Sequence, residues 1–370
     1  MLLNLNNILD YLLAKCTFPE ESILGSLDLK PDYSNLDKLR VTELSTETSR
    51  NSVLEVSIED ISMRLIFKQH KFPTERESQF IINEARFYQY FHNNPHGNSV
   101  KLPHSFYDVE NFLLAIPRAG VHFSTVIPKV IDLAKWEDFL AKLALYLFEF
   151  HKYFEMGHLN VKQYIQLNGC SEMVYTELLN KLKLANANET ILINSYVKEN
   201  FRDERIGFYK FLVSDQVRSK LLEIGSTLIE ADCLIHGDLH IDNVRYEKAA
   251  PYFIDFEYTG VGDRLYDVTT FLFTFLYNEH LLADHSKEFR FALFSIFLTN
   301  YMGHFKASIN SDAIKKIAFF CITHLIHEAG KGDNKTYLKA TRDLEILMSI
   351  CMMESPTLND FEPIFSSDDV

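Results

Sequence analysis

The spacing of apolar residues changes once along this chain, and that change limits the folds open to it. Before about residue 118, short strand-like apolar runs are mixed with one helical stretch. "VLEVSI" (53–58) and "MRLIFK" (63–68) flank "EDIS", and "HSFYDV" (104–109) and "FLLAIP" (112–117) flank Glu110-Asn111. Strand-like runs joined by short polar segments predict two hairpins. Between them, Thr74 is followed three residues on by Glu77. That is a capping box, and it predicts a helix from Glu75. From about residue 130 the apolar residues recur at three and four, as in "WEDFLAKLALYLFEFHKYF" (136–154). Further helical patterns cover 208–231, 264–281, 287–307, 311–329 and 336–352. Only "CLIHG", "NVRYE" and "PYFIDFE" read as strands in this part.

The expected class is therefore α+β. A small antiparallel-sheet lobe with one helix occupies 1–117, and a large, mainly helical lobe occupies 118–370. A chain of 370 residues is long enough to bury a core in each. The start, "MLLNLNNILDYLLAKC", suits an amphipathic helix and lacks the basic flank of a signal peptide. No apolar run approaches the length needed to cross a membrane. The tail from Glu354 carries five acids, two prolines and no base, which predicts loose order.

A net charge of −14 argues against a nucleic-acid partner, which wants a basic face, and favours a cationic one. Five scattered cysteines without a CxxC pair fit reduced cytoplasmic usage and no zinc site. Oligomeric state is not readable from the sequence.

The densest polar stretch is "LIHGDLHIDN" (234–243), directly after an apolar strand. Asp238 is followed five residues later by Asn243 and, twelve further on, by Asp255 in "YFIDFE". Acids at strand edges project oxygen ligands while the strand stays anchored. Aspartate and asparagine oxygens suit Mg²⁺. Asn243 and Asp255 could hold that ion while Asp238 orients a hydroxyl, which is what phosphoryl transfer requires. Upstream, Glu84 lies on the helix face that carries Phe80, Phe87 and Phe91, and Lys68 ends an apolar strand. An acid on an apolar face needs a cation or a hydrogen bond, so the two are expected to pair.

The motifs "HGDLHIDN" (236–243), "IDFE" (254–257) and "GDRLYD" (262–267) together resemble the aminoglycoside phosphotransferase and choline kinase-like family, whose members share the protein-kinase fold. The resemblance implies ATP and Mg²⁺ as cofactors. It implies Asp238 as catalytic base, Asn243 and Asp255 as metal ligands, and His236 and Asp267 as supports of the loop. Lys68 would reach the α- and β-phosphates with Glu84 as its partner. The adenine would lie near the crossing at Ile116–Arg118. The phosphate-covering loop would be residues 44–56, with Ser49 among its hydroxyls. It departs from the family in having no glycine. The implied reaction moves the γ-phosphoryl group to a hydroxyl of a small molecule: an aminoglycoside, a choline-like amino alcohol or a sugar.

Three other readings stand beside this one. A protein Ser/Thr kinase would carry arginine after the loop histidine, where this chain has Gly237, and no A-P-E signature follows Asp255. A non-catalytic nucleotide-binding module would explain the missing glycines but not the retained base and metal ligands. A metallophosphatase built on "GDLH" would need a downstream G-N-H that is absent. His151 reads as packing and His240 as structural or close to substrate. Glu257 reads equally as loop support or as a catalytic group. Glu172, Glu177, Glu199, Asp203 and Glu204 are candidate acceptor contacts or a solvated face.

Overall fold

The computed structural model describes residues 2–14, 39–46, 49–58, 64–93, 100, 102–118, 120–126, 132–247, 250–277, 282, 285–332 and 334–365. These form two compact units. The first contains residues 1–121, 162–170 and 245–259, and the second contains the rest.

The first unit is built on a five-stranded sheet of order β1-β2-β3-β5-β4. Its strands are β1 (Leu39–Glu43), β2 (Asn51–Ile58), β3 (Arg64–His70), β4 (Phe106–Asp108) and β5 (Leu113–Pro117). Every pairing is antiparallel, and both expected hairpins form, although the 59–63 link lies outside the described residues. Alternation divides the side chains of β3. Leu65 and Phe67 join Leu54, Val56, Leu113 and Ala115 in a core covered by Leu3, Ile8, Tyr11 and Leu12 of the N-terminal segment. Helix α1 (Ile8–Ala14) is the amphipathic element expected there. It is tied down by Leu3 N donating to Gln69 Oε1 (2.7 Å) and by the Tyr11 hydroxyl donating to Asp108 (2.8 Å). Burying each large apolar side chain in this layer contributes about 1.5–3 kcal/mol. The opposite face of β3 carries Ile66 and Lys68. In register, Lys68 stands between Val53 of β2 and Leu114 of β5.

Helix α2 spans Gln79–Asn93, so it opens four residues later than the capping box predicted. The Thr74 hydroxyl does accept from Glu77 N (3.3 Å), but it closes a turn. Glu75, Arg76 and Glu77 are exposed and bury nothing, so no packing holds a helical turn there.

The second unit is mainly helical. Helix Leu133–Tyr153 is capped by Asp132 and buries Trp136, Leu140, Leu143, Leu147 and Phe150 against helix Lys287–His304. Helix Ser311–Lys331, capped by Asn310, is buried nearly all round from Ile317 to Ile326. It sits at the centre, between helices Arg264–Tyr277 and Asn334–Met352. Three differences from expectation stand out. The pattern at 208–231 is two helices, Arg202–Val213 and Asp215–Thr227. Ser214 breaks it with extended backbone and a hydroxyl turned back onto the Phe211 carbonyl (2.7 Å). Helices Val174–Ala185 and Thr190–Tyr196 fill a region where no helix was expected. The acidic tail is ordered over Leu358–Phe365. There Phe361, Ile364 and Phe365 are buried, and Phe361 and Phe365 lie 5.2 and 5.4 Å from Phe294. Among the described residues, no helix is long and apolar enough to cross a membrane.

Candidate active site

The candidate residues fall in two constellations, one on each unit. On the first, the ammonium of Lys68 is held by three carboxylates: Glu84 at 2.9 Å, Asp255 at 2.5 Å and Glu257 at 2.9 Å. Lys68 and Glu84 are thus brought together as the helix pattern required. Tyr88, one turn beyond Glu84, donates its hydroxyl to the other oxygen of that carboxylate (3.0 Å). Asp255 and Glu257 arrive from a short segment whose middle residue, Phe256, stacks on Phe87 of α2 (4.5 Å). Asp255 has a φ of +67°, in the left-handed region that aspartate tolerates better than most residues. That turn points both acids at Lys68 while Phe256 stays in the core.

Burial alone would lower the Lys68 pKa. The three carboxylates outweigh it and hold the ammonium well above its ordinary range. Burial pushes Glu84 up to about 7; Lys68 opposes that rise, and the neighbouring Asp255 and Glu257 add to it. One oxygen from each of Glu84, Asp255 and Glu257 lies within 4.8 Å of the others. Asp255 is the most open of the three, its side chain 34% exposed.

Arg50 also reaches this cluster. Its guanidinium ion-pairs with Glu257 and lies 4.3 Å from the centre of the Phe80 ring. The other expected nucleotide contacts are placed as follows. The Ser49 hydroxyl is 3.0 Å from Thr46 N, inside a local turn. Ile116 is buried opposite Ile66. Arg118 ion-pairs with Glu55, which Arg64 also approaches at 3.3 Å.

On the second unit, strand Cys233–Ile235 pairs antiparallel with Gly260–Gly262 and delivers the chain to the loop at 236–243. Gly237 turns at φ +83°, where a side chain would be strained. The fully buried Asp267 fastens this turn. Its carboxylate accepts from His236 N (2.7 Å) and Gly237 N (2.9 Å), and His151 Nε2 lies at 3.0 Å. His151 Nδ1 is 2.7 Å from the Tyr301 hydroxyl. A neutral imidazole with its proton on Nε2 satisfies both partners. His151 is therefore the outer end of the loop's support as well as packing.

His236 acts through its ring as well as its backbone, Nδ1 accepting from Asp238 N (3.3 Å). Asn243 donates Nδ2 to the Asp238 carbonyl (2.9 Å), which leaves its Oδ1 as the donor atom for a cation. The Asp238 carboxylate is 40% exposed, with His240 Nε2 at 3.6 Å. His240 Nδ1 also accepts from Asp242 N (3.2 Å). A fixed backbone thus presents an accessible carboxylate, which can orient a hydroxyl. The five acids of the 172–204 region are all exposed, and Glu172, Glu177 and Glu204 have polar or cationic partners close by.

The residues that the sequence did not point to are Arg50, Tyr88 and the supporting role of His151. Tyr88 had a signal, its i+4 position from Glu84. Arg50 had none beyond its place in the glycine-free loop.

A family model described as a phosphotransferase enzyme family matches residues 42–292. No curated protein sequence matches the chain. Among solved structures, the chain is similar to an amicoumacin kinase in complex with AMP-PNP, Ca²⁺ and Ami, with 16% identity and a TM-score of 0.55, over 91% of this chain and 95% of that one. It is also similar to the Plasmodium vivax ethanolamine kinase, with 14% identity and a TM-score of 0.49, over 99% of this chain and 89% of that one. The first of these likenesses shows the kinase-like fold.

Proposed function

The chain belongs to the phosphotransferase enzyme family, and from that premise we propose that it moves the γ-phosphoryl group of ATP to a hydroxyl of a small molecule. The observation that carries this reading is Lys68, held by Glu84 and shared with Asp255 and Glu257. A buried, strongly held ammonium among acids is poised to exchange carboxylate for phosphate. The amicoumacin kinase complex pairs a nucleotide analogue with a divalent metal, which is the donor and ion type we assign here.

In this reading Lys68 binds the α- and β-phosphates and Glu84 holds it in place. The adenine lies near Ile116–Arg118. Asp255 offers a carboxylate oxygen and Asn243 its Oδ1, hard donors that fit Mg²⁺. When bound, that ion supplies charge neutralisation on the phosphates. Asp238 accepts a hydrogen bond from the attacking hydroxyl. The hydroxyl oxygen bonds to the γ-phosphorus, the bond from that phosphorus to the β–γ bridging oxygen breaks, ADP leaves, and the hydroxyl proton passes to Asp238. Asp267, His236 and His151 keep the loop backbone fixed, so that this orientation costs little reorganisation. The acceptor is a small hydroxyl compound, with cationic ones favoured by the net charge of −14.

The test is Asp238→Ala, scored by ADP release across a panel of hydroxyl acceptors, cationic ones first. Turnover should fall at least about 100-fold, the lower end for losing a positioned base, while AMP-PNP affinity stays at the wild-type value. Turnover within twofold of wild type would overturn the assignment.

A further inference from the structure

The loop before β2, residues 44–50, contains no glycine. Backbone amides that wrap a phosphate need residues free to adopt left-handed φ values, and Ser and Thr supply that poorly. The described part of the loop is also turned on itself and tethered. Ser49 N donates to the Thr46 carbonyl (3.0 Å), and Lys71 Nζ donates to that same carbonyl (2.9 Å).

What the loop does send to the site is Arg50. Its Nη2 donates to Glu257 Oε1, and the other oxygen of that carboxylate accepts from Lys68 at 2.9 Å. One buried acid therefore holds two cations, one on each oxygen. Phe80 supports the guanidinium plane at 4.3 Å, and the Tyr258 hydroxyl is 3.4 Å from Nη1. Glu257 is 8% exposed, yet the Arg50 side chain is 37% exposed. The guanidinium is thus anchored on Glu257, while the Arg50 side chain as a whole keeps over a third of its surface in solvent. A guanidinium has five donors in a fixed plane, so it can keep one edge on a carboxylate and offer another to a phosphate.

We propose that Arg50 is a nucleotide-binding residue, aimed by Glu257 and Phe80 to hold the terminal phosphates beside Lys68 in place of the loop amides. The inference rests on the phosphotransferase reading and goes beyond it in assigning a cation to the loop. A plain surface strut would have the same ion pair but no preference among nucleotides, and the test turns on that difference.

The full chain, its Arg50→Ala variant and its Arg50→Lys variant are titrated calorimetrically in Mg²⁺ with AMP-PNP and with AMP, or with the guanine pair if wild type binds that more tightly. The expected result is at least a tenfold loss of AMP-PNP affinity in Arg50→Ala with AMP binding unchanged. Arg50→Lys should recover part of the loss, because it restores the charge without the fork. Equal AMP-PNP affinity in Arg50→Ala and wild type would overturn the proposal, and so would equal losses for AMP-PNP and AMP, which would make Arg50 a support of the site's shape. Wild-type protein that binds no nucleotide would overturn the phosphotransferase reading together with it. A normal wild type beside an unaffected variant overturns the role of Arg50 alone.

Discussion

Replacing Asp267 with alanine should unfasten the 236–243 loop, and the structure sets the size of the effect. The Asp267 carboxylate is fully buried and accepts from two backbone amides, at 2.7 and 2.9 Å, with His151 Nε2 at 3.0 Å. Alanine leaves three buried donors without an acceptor. Each orphaned donor costs about 1–3 kcal/mol, so the loss from all three should be about 3–9 kcal/mol. Against a typical total of about 5–15 kcal/mol that is severe. The assay is the shift of the urea midpoint at constant m-value. Residue-resolved hydrogen exchange at His236 and Gly237 tests the cause, because those two amides should lose protection before the central helix Ser311–Lys331 does. Turnover should fall with them, since Asp238 hangs on this backbone. A loss below about 1 kcal/mol, or amides as protected as in wild type, would refute the reasoning.

Two further outcomes follow from burial and charge. Burial pushes the Glu84 carboxyl up to about 7 in the folded chain, from an ordinary 4.5. The folded state therefore binds that proton more tightly than the unfolded one, and stability is lost as pH rises from about 4.5 through about 7. Relative to Glu84→Gln, the wild type should lose stability over that window, read as urea midpoints at either end; parallel pH profiles would contradict it. Phe361→Ala should cost about 3–5 kcal/mol, as for other fully buried aromatics, because Phe361 is 0% exposed against Phe294. A cost near zero in thermal unfolding would mean that the tail does not dock.

How much of this was legible depended on whether the signal was local. The two hairpins, the central helices and the motif at 236–243 follow from period and spacing within a few residues. Lys68 and Glu84 could be paired at a distance because each needed a partner of opposite sign on an apolar face. The tail was misread because its acids were weighed and its apolar residues were not. Phe361, Ile364 and Phe365 fall at i, i+3 and i+4, enough for one buried face. The break at Ser214 depends on a hydroxyl choosing the Phe211 carbonyl, which periodicity does not encode. Arg50 was invisible for a different reason. Its partner Glu257 is 207 residues away, and only the folded chain brings the two together.

The most direct test of the account is calorimetric titration of the full chain with AMP-PNP, with and without Mg²⁺. The account predicts binding that strengthens at least about tenfold, or 1.4 kcal/mol, when the ion is present, with that gain lost in Asp255→Ala. Binding that ignores Mg²⁺, or no binding in either condition, would contradict the assignment of Asp255 and Asn243 as metal ligands and of Lys68 as a phosphate-binding residue.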